Sequence, residues 1–260
     1  MRDDGDGDLL FAIVRAAGDL ALAMARKGFR RWTKPDGTPV TEVDIAVDAL
    51  LKERLHGKTP NYGWLSEESA DGPDRLSRDR LWIADPIDGT RSFASGGDEW
   101  CIAVALISGS RPVLGAIYRP VAGEFYRAVA GEGAWLNDRL LRLSSSRGLQ
   151  GARVIGNASA VKAIQREADI DPIFGTDVPL AMRLARVASG DFDAALSSTP
   201  KHDWDLAAGD LIVREAGGLV TTRQGEALTF NRARPSQEGY IAAMPELHGA
   251  LLSILNGHHD

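Results

Sequence analysis

The chain predicts an α+β fold, and three observations carry that prediction. Four apolar runs at 100–107, 112–118, 124–130 and 134–136 are separated by Ser-Gly-Ser, Pro-Val-Ala-Gly and Gly-Glu-Gly, with Asn-Asp closing the last, the pattern of an antiparallel meander. Ahead of them, Leu9, Leu10, Ile13, Val14, Ala17, Leu20, Ala21 and Met24 recur at helical spacing. Beyond Ser144-Ser-Ser-Arg-Gly148 the pattern changes to alternating helices and strands, so that segment is the expected boundary between a half at 1–148 and a half at 149–260.

Composition narrows the function classes. Of 260 residues, 44% are hydrophobic and 25% charged, the balance of a globular protein and not of a disordered or fibrous one. A net charge of −6 gives none of the basic footprint that nucleic-acid or anionic-membrane binders carry, so neither is an expected partner. A small anionic substrate would then need a local positive centre, which a bound cation supplies. No apolar run reaches membrane-span length and Met1–Asp8 lacks a signal-peptide pattern, so the expected location is the cytoplasm. Cys101, the single cysteine, lies in an apolar run and reads as a buried small side chain.

Taken in order, Asp4, Asp6 and Asp8 resemble the start of a calcium loop, but Arg15 stands where a bidentate Glu is required; they read as a solvated tail favouring the following helix dipole. That helix runs to about Lys27. The turn-rich segment Lys34 to Asp44 leads into a second helix bearing Val43, Val47, Leu50, Leu51 and Leu55. Thr41 and Asp44 fit a capping box, and Asp44 alternatively faces a loop to orient a hydroxyl or a water. Tyr62–Leu65 reads as a strand, followed by Ser66-Glu67-Glu68-Ser69, and 71–80 as surface loop. Then the apolar run Leu81 to Ala84 ends in Asp85-Pro-Ile-Asp88-Gly-Thr90: either an Asp-Pro turn followed by an Asp-Gly turn, or two acids beside a Gly-Thr step whose amides face an anion. If the strands before Glu67 and Asp85 end on one sheet edge, the three acids cluster and repel unless a cation lies among them.

Residues 91–100 read as loop, and the meander as a scaffold whose polar residues alternate like a solvent face. After the boundary come a strand at 153–156, helices at 159–168 and 178–189 with Pro179 in the first turn of the second, and a strand at 192–196. Asp203 or Asp205 caps a helix with the apolar face Leu206, Leu211, Ile212 and Ala216, ended by Gly217-Gly218. Strands at 219–222 and 240–243 and a helix at 245–255 complete the chain. His202 beside an aspartate reads as a hydrogen-bonded structural residue, and His258-His259 as a tail.

Carboxylates on loops at element ends, with no Cys or His at ligand spacing, favour a hard cation such as magnesium, manganese or calcium over zinc. Two magnesium ions can neutralise a phosphate dianion, activate water and stabilise a departing alkoxide. Thr90 and Asp44 could share the proton-handling.

Four segments together resemble the inositol monophosphatase superfamily of magnesium-dependent, lithium-sensitive phosphatases: Gly37-Thr-Pro-Val-Thr-Glu-Val-Asp44, Leu65-Ser-Glu67-Glu68-Ser, Trp82-Ile-Ala-Asp85-Pro-Ile-Asp88-Gly-Thr90, and Trp204-Asp205 through Glu215-Ala-Gly-Gly218. The resemblance implies a layered α/β/α/β/α sandwich, two or three Mg2+ ions and a homodimer acting on a small phosphorylated metabolite. It implies Glu67, Asp85, Asp88, Asp205 and the Ile87 carbonyl as metal ligands, and Asp44, Thr90 and Glu67 as the catalytic set. Asp88, Gly89, Thr90, Arg91 and Asp205 become the expected substrate contacts, with Arg183, the 91–99 loop and Lys201-His202-Asp203 as further candidates. Two departures stand out. Ser66 occupies a position that is usually Gly, and Arg91-Ser92-Phe93 replaces Thr-Asn-Phe, which looks more like the branch acting on 3′(2′),5′-bisphosphonucleosides. Histidinol-phosphate phosphatases belong to the same superfamily and give an alternative substrate. A regulatory binding protein that keeps the fold, and a structural calcium module, are the alternatives of other classes.

Overall fold

The computed structural model describes residues 5–35, 37–143, 148–174 and 177–257. Residues 144–147 of the expected boundary at 144–148, together with Asp4 and His258-His259, lie outside the described residues.

Helix α1 (Asp6–Lys27) carries Asp6 and Asp8 in its first turn and Arg26 and Lys27 in its last, the polarity its dipole favours. Asp6 is not part of a solvated tail, as its position in the sequence suggested. It is 6% exposed and accepts from the Tyr62 hydroxyl and Arg80 Nη1, both at 2.8 Å, contacts made by residues far along the chain. A hairpin, β1 (Arg31–Thr33) and β2 (Pro39–Thr41), leads into α2 (Glu42–Leu51), which continues as a π-helical turn over Lys52–His56.

Next come β3 (Gly63–Ser66), β4 (Arg80–Asp88), the short helix α3 (Thr90–Ala94) within the segment expected to be loop, and β5 (Cys101–Ser108), β6 (Arg111–Arg119), β7 (Glu124–Val129), β8 (Gly133–Leu136) and β9 (Arg139–Leu141). They form a seven-stranded sheet in the order β3-β4-β5-β6-β7-β8-β9. The meander is as expected, with β3 added parallel to β4 at its edge. Its expected solvent face is not there. Ala103, Ala105 and Ile107 pack into one core, while Ile102, Val104 and Leu106 pack into another with Leu10, Val14, Val43 and Val47. The reason is visible in β5 itself, where Cys-Ile-Ala-Val-Ala-Leu-Ile is continuously apolar, the mark of a strand covered on both faces.

The remaining chain contributes β10 (Ala152–Gly156), α4 (Ala158–Gln165), β11 (Ile170–Phe174), α5 (Leu180–Ser189), β12 (Ala194–Ser197), β13 (Lys201–His202), α6 (Asp203–Glu215), β14 (Leu219–Thr221), β15 (Ser236–Gln237), β16 (Tyr240–Ala243) and α7 (Pro245–Leu255). Five of these strands form a second sheet ordered β11-β10-β12-β16-β14. β11 was not expected, because Asp-Pro interrupts its apolar pattern; Pro172 is accommodated since β11 is an edge strand.

Five layers result: α1 and α2, the seven-stranded sheet, α5 and α6, the five-stranded sheet, and α4 with α7. Gly209 lets α6 lie against α5, for a Cβ there would come within 2.5 Å of Leu184. Among the described residues no helix is long and apolar enough to cross a membrane.

Candidate active site

The site begins with an irregularity in β4. Side chains three apart on a regular strand point to opposite faces. Between the Asp85–Ala103 and Asp88–Cys101 pairs, however, β4 advances three residues while β5 advances two, a one-residue bulge at Pro86-Ile87. Ala103 and Cys101 belong to the same core, so the bulge brings both carboxylates to the side that faces α5 and α6. The strand therefore continues through the acids, where a turn had been one of the two expectations. Pro86, which cannot donate to a ladder, sits at the bulge. The chain turns at Gly89, whose φ of +96° and 2.6 Å clearance from the Glu99 carbonyl exclude a side chain.

Thr90 follows at the start of α3. Its hydroxyl lies 3.0 Å from Asp44 Oδ1 and 2.9 Å from the Ile87 carbonyl, and with one proton it can donate to only one of them at a time. Asp44 fills both roles the sequence left open. Its Oδ2 accepts from the Thr41 amide at 2.9 Å and the Thr41 hydroxyl at 2.5 Å, closing the capping box at the start of α2, while Oδ1 faces Thr90. Burial raises the Asp44 pKa, against the opposing pull of the Thr41 and Thr90 hydrogen bonds.

Glu67 directly follows β3 and reaches the same region because β3 and β4 run parallel, with Ser66 opposite Ala84. Lys34, in the turn between β1 and β2, places Nζ 2.7 Å from Glu68 Oε1 and 3.4 Å from Glu67 Oε1. In the sequence Lys34 reads as part of a turn and nothing more, because no local signal links it to acids more than thirty positions on. From the other half, Asp205 in the first turn of α6 accepts the His202 amide through Oδ2 at 2.9 Å, so His202 is the N-cap residue and Asp205 satisfies its backbone. Asp203 does neither job: fully buried, it accepts from Gln237 Nε2 at 2.8 Å. Asp88 Oδ2 accepts the Ala181 amide of α5 at 2.7 Å, which ties the two sheets' layers together at the site.

The acids share one field. Burial first, then neighbouring carboxylates, raise Asp205 to about 8 and Asp85 well above the usual carboxylate range. Glu67 is raised to about 7 by burial, with Lys34 opposing the rise and Glu68 and Asp88 adding to it. Burial raises Asp88 as well, against the Ala181 amide. Asp85 Oδ1 is buried with no hydrogen-bond partner. An all-oxygen donor set of mutually repelling acids with an orphaned buried carboxylate oxygen fits a hard divalent cation. Among the described residues no three acidic, His or Cys side chains are already drawn together tightly enough to hold an ion, so closing on one would take side-chain rotation.

Glu67, Asp85, Ile87, Asp88, Gly89, Thr90, Arg91, Arg183 and Asp205 line one cleft of about 790 Å³, together with residues of the 91–99 loop. Lys201 and His202, offered from sequence as substrate contacts, line instead a smaller cavity of about 310 Å³ that shares Glu67 with the cleft, and Asp203 lines neither. His202 stacks on Trp204, ring centroids 4.4 Å apart. Cys101 is buried and unpaired, as expected.

Comparison with known proteins converges on one family. The model of the inositol monophosphatase family matches residues 8–260. Inositol monophosphatase 2 of Solanum lycopersicum is 32% identical over 233 residues, which cover 84% of this chain and 85% of that protein. Histidinol-phosphatase of Mycobacterium tuberculosis is 32% identical over 265 residues, covering 96% and 98% of the two chains. Among solved structures, the extragenic suppressor protein suhB of Bartonella henselae superposes with a TM-score of 0.81 at 27% identity, over 95% of this chain and 97% of that one. With the layered sandwich, the bulged Asp85-Pro-Ile-Asp88 strand and a family match across nearly its full length, the chain belongs to the inositol monophosphatase family.

Proposed function

We propose that this protein is a magnesium-dependent phosphomonoesterase for a small phosphorylated metabolite. The observation that carries the reading is the meeting of Asp85, Asp88, Glu67 and Asp205 in one cleft with the Thr90 hydroxyl, itself 3.0 Å from a buried carboxylate. Glu67, Asp85, Asp88, Asp205 and the Ile87 carbonyl would hold two or three Mg2+ ions. Bound there, magnesium would neutralise the phosphate dianion, acidify a water and stabilise the departing alkoxide.

The chain's own part is positioning and proton transfer. A water hydrogen-bonded to Thr90 Oγ is held at the cleft wall; as it attacks phosphorus, its proton passes to Thr90 while the Thr90 proton moves to Asp44 Oδ1. Burial suits Asp44 to that task, since it raises the carboxylate's proton affinity. Thr41 holds Asp44 by its other oxygen and so fixes which lone pairs face Thr90. Asp88, Gly89, Thr90, Arg91 and Asp205 would contact the phosphate, with Arg183 and the 91–99 loop set to meet the alcohol.

The candidate esters are inositol 1-phosphate, adenosine 3′,5′-bisphosphate and histidinol phosphate. Arg91 favours the second, and the end-to-end likeness to a histidinol-phosphatase keeps the third in the panel. Phosphate release from these three and from sugar phosphates, with and without magnesium, tests the reading. One ester with dominant kcat/KM and an absolute magnesium requirement is expected; no release from any ester in magnesium or manganese would overturn it. The expected assembly is a homodimer, checked by light scattering.

A further inference from the structure

Resting on that reading, we infer that Asp48 is a positioning residue for the site, through a two-point clamp on the loop that carries Glu67. Asp48 lies on α2 and is 7% exposed. Each of its oxygens takes one serine hydroxyl: Ser66 Oγ donates to Oδ1 at 2.5 Å and Ser69 Oγ donates to Oδ2 at 2.5 Å. The two serines flank Glu67 and Glu68, so a four-residue loop is pinned at both ends to a single carboxylate. Ser69 is oriented in turn by Trp64 Nε1 at 3.3 Å.

The clamp does more than hold a loop down. Asp44 and Asp48 are four positions apart on one helix and therefore share a face. The first addresses Thr90 and the second addresses the Glu67 loop, so α2 sets the proton-transfer pair and Glu67 in register with one another. A buried carboxylate whose partners among the described residues are two neutral hydroxyls is a costly device for anchoring a loop that apolar contacts could anchor. Its charge gains a purpose beside a cation: Asp48 adds to the negative field felt by Glu68, next to the carboxylate expected to bind metal. The arrangement also gives Ser66 a role, because a glycine at that position would remove half of the clamp.

The test is metal binding without substrate, by calorimetric titration of the metal-free protein with Mg2+ and Mn2+. Asp48→Ala should weaken binding by about 10- to 100-fold, the usual cost of losing a group that orients a ligand. Ser66→Gly combined with Ser69→Ala should reproduce the loss, and adding Asp48→Ala to that pair should bring little more, because all three act through the same bonds. Wild-type metal affinity in Asp48→Ala, even with a lowered Tm, would reduce the clamp to a structural contact and overturn the inference. If Asp48→Ala does not fold, the serine pair decides, and unchanged affinity there overturns it equally. A wild-type protein that releases phosphate while every variant binds metal normally sinks this inference alone; a wild type that hydrolyses no ester sinks the phosphatase reading.

Discussion

The two ends of β4 treat acidic residues in opposite ways. At its start, Arg80 Nη1 reaches both Asp6 Oδ2 and the Tyr62 hydroxyl at 2.8 Å, and Tyr62 donates to the same Asp6 oxygen. The buried acid has a cation and a hydroxyl as partners. At the other end, within the same strand, Asp85 has a buried oxygen with no partner, and Asp85 and Asp205 are driven up in proton affinity by burial and by their neighbours. Asp6 of α1, packed against the start of β4, is thus neutralised by its neighbours. The unmet charge lies at the far end of the strand, the end where the proposed phosphatase reading would put the cation.

The comparison breaks most visibly if Asp88→Asn keeps normal turnover. We expect phosphate release to fall by roughly 10²- to 10⁴-fold, with the Tm of the metal-free protein unchanged or higher because one repelling charge has gone. Thr90→Val should follow, at about 10²-fold in kcat, and Thr90→Ser should recover most of it by restoring the hydroxyl. At the satisfied end, Arg80→Met should leave kcat alone but take away the cation from the Asp6 carboxylate, leaving it the Tyr62 hydroxyl and costing about 3 kcal/mol, read as a drop in Tm of roughly 6 to 12 °C.

The smallest expected effect sharpens the contrast through pH. Glu67 and Asp205 bind protons more tightly folded, at about 7 and about 8, than an unfolded chain does. Below the unfolded carboxylate range, about 4, both states are protonated. As pH rises from there toward 8 the native state retains protons the unfolded state has lost, so metal-free stability declines across that window. Magnesium bound among these acids would remove the repulsion, so the Tm gain on adding it should be a few degrees larger at pH 8.5 than at pH 5.5; a gain independent of pH would contradict the electrostatic account.

What the sequence revealed was what lies close along the chain. Asp85, Asp88 and Thr90 stand within six residues, and the Thr41–Asp44 capping box within four, so local turn and helix rules suffice to propose them. The meander was legible from its turns. Contacts across layers were not: Lys34 with Glu67, Asp48 with the two serines, and Asp6 with Arg80 depend on how elements pack. The same holds for Lys201 and His202, which precede Asp205 by four and three residues in sequence yet line a different cavity that shares Glu67 with the cleft. A helix start fixes where a side chain begins, and the neighbouring loop decides which cavity it enters.

The bulge in β4 makes the Asp-Pro-Ile-Asp spacing a matter of parity. Counting along a pleated strand is binary, and one supernumerary residue converts an odd interval into an even one. A deletion of Pro86 or Ile87 would straighten the ladder and shorten the interval to two, keeping the acids in phase but removing the Ile87 carbonyl or its displacement from the strand; an added residue that left the bulge in place would send one acid into the apolar layer beneath. Residues 85–88 thus have a reading frame of their own, in which the length of the segment, as much as its acids, decides that both carboxylates meet on one face.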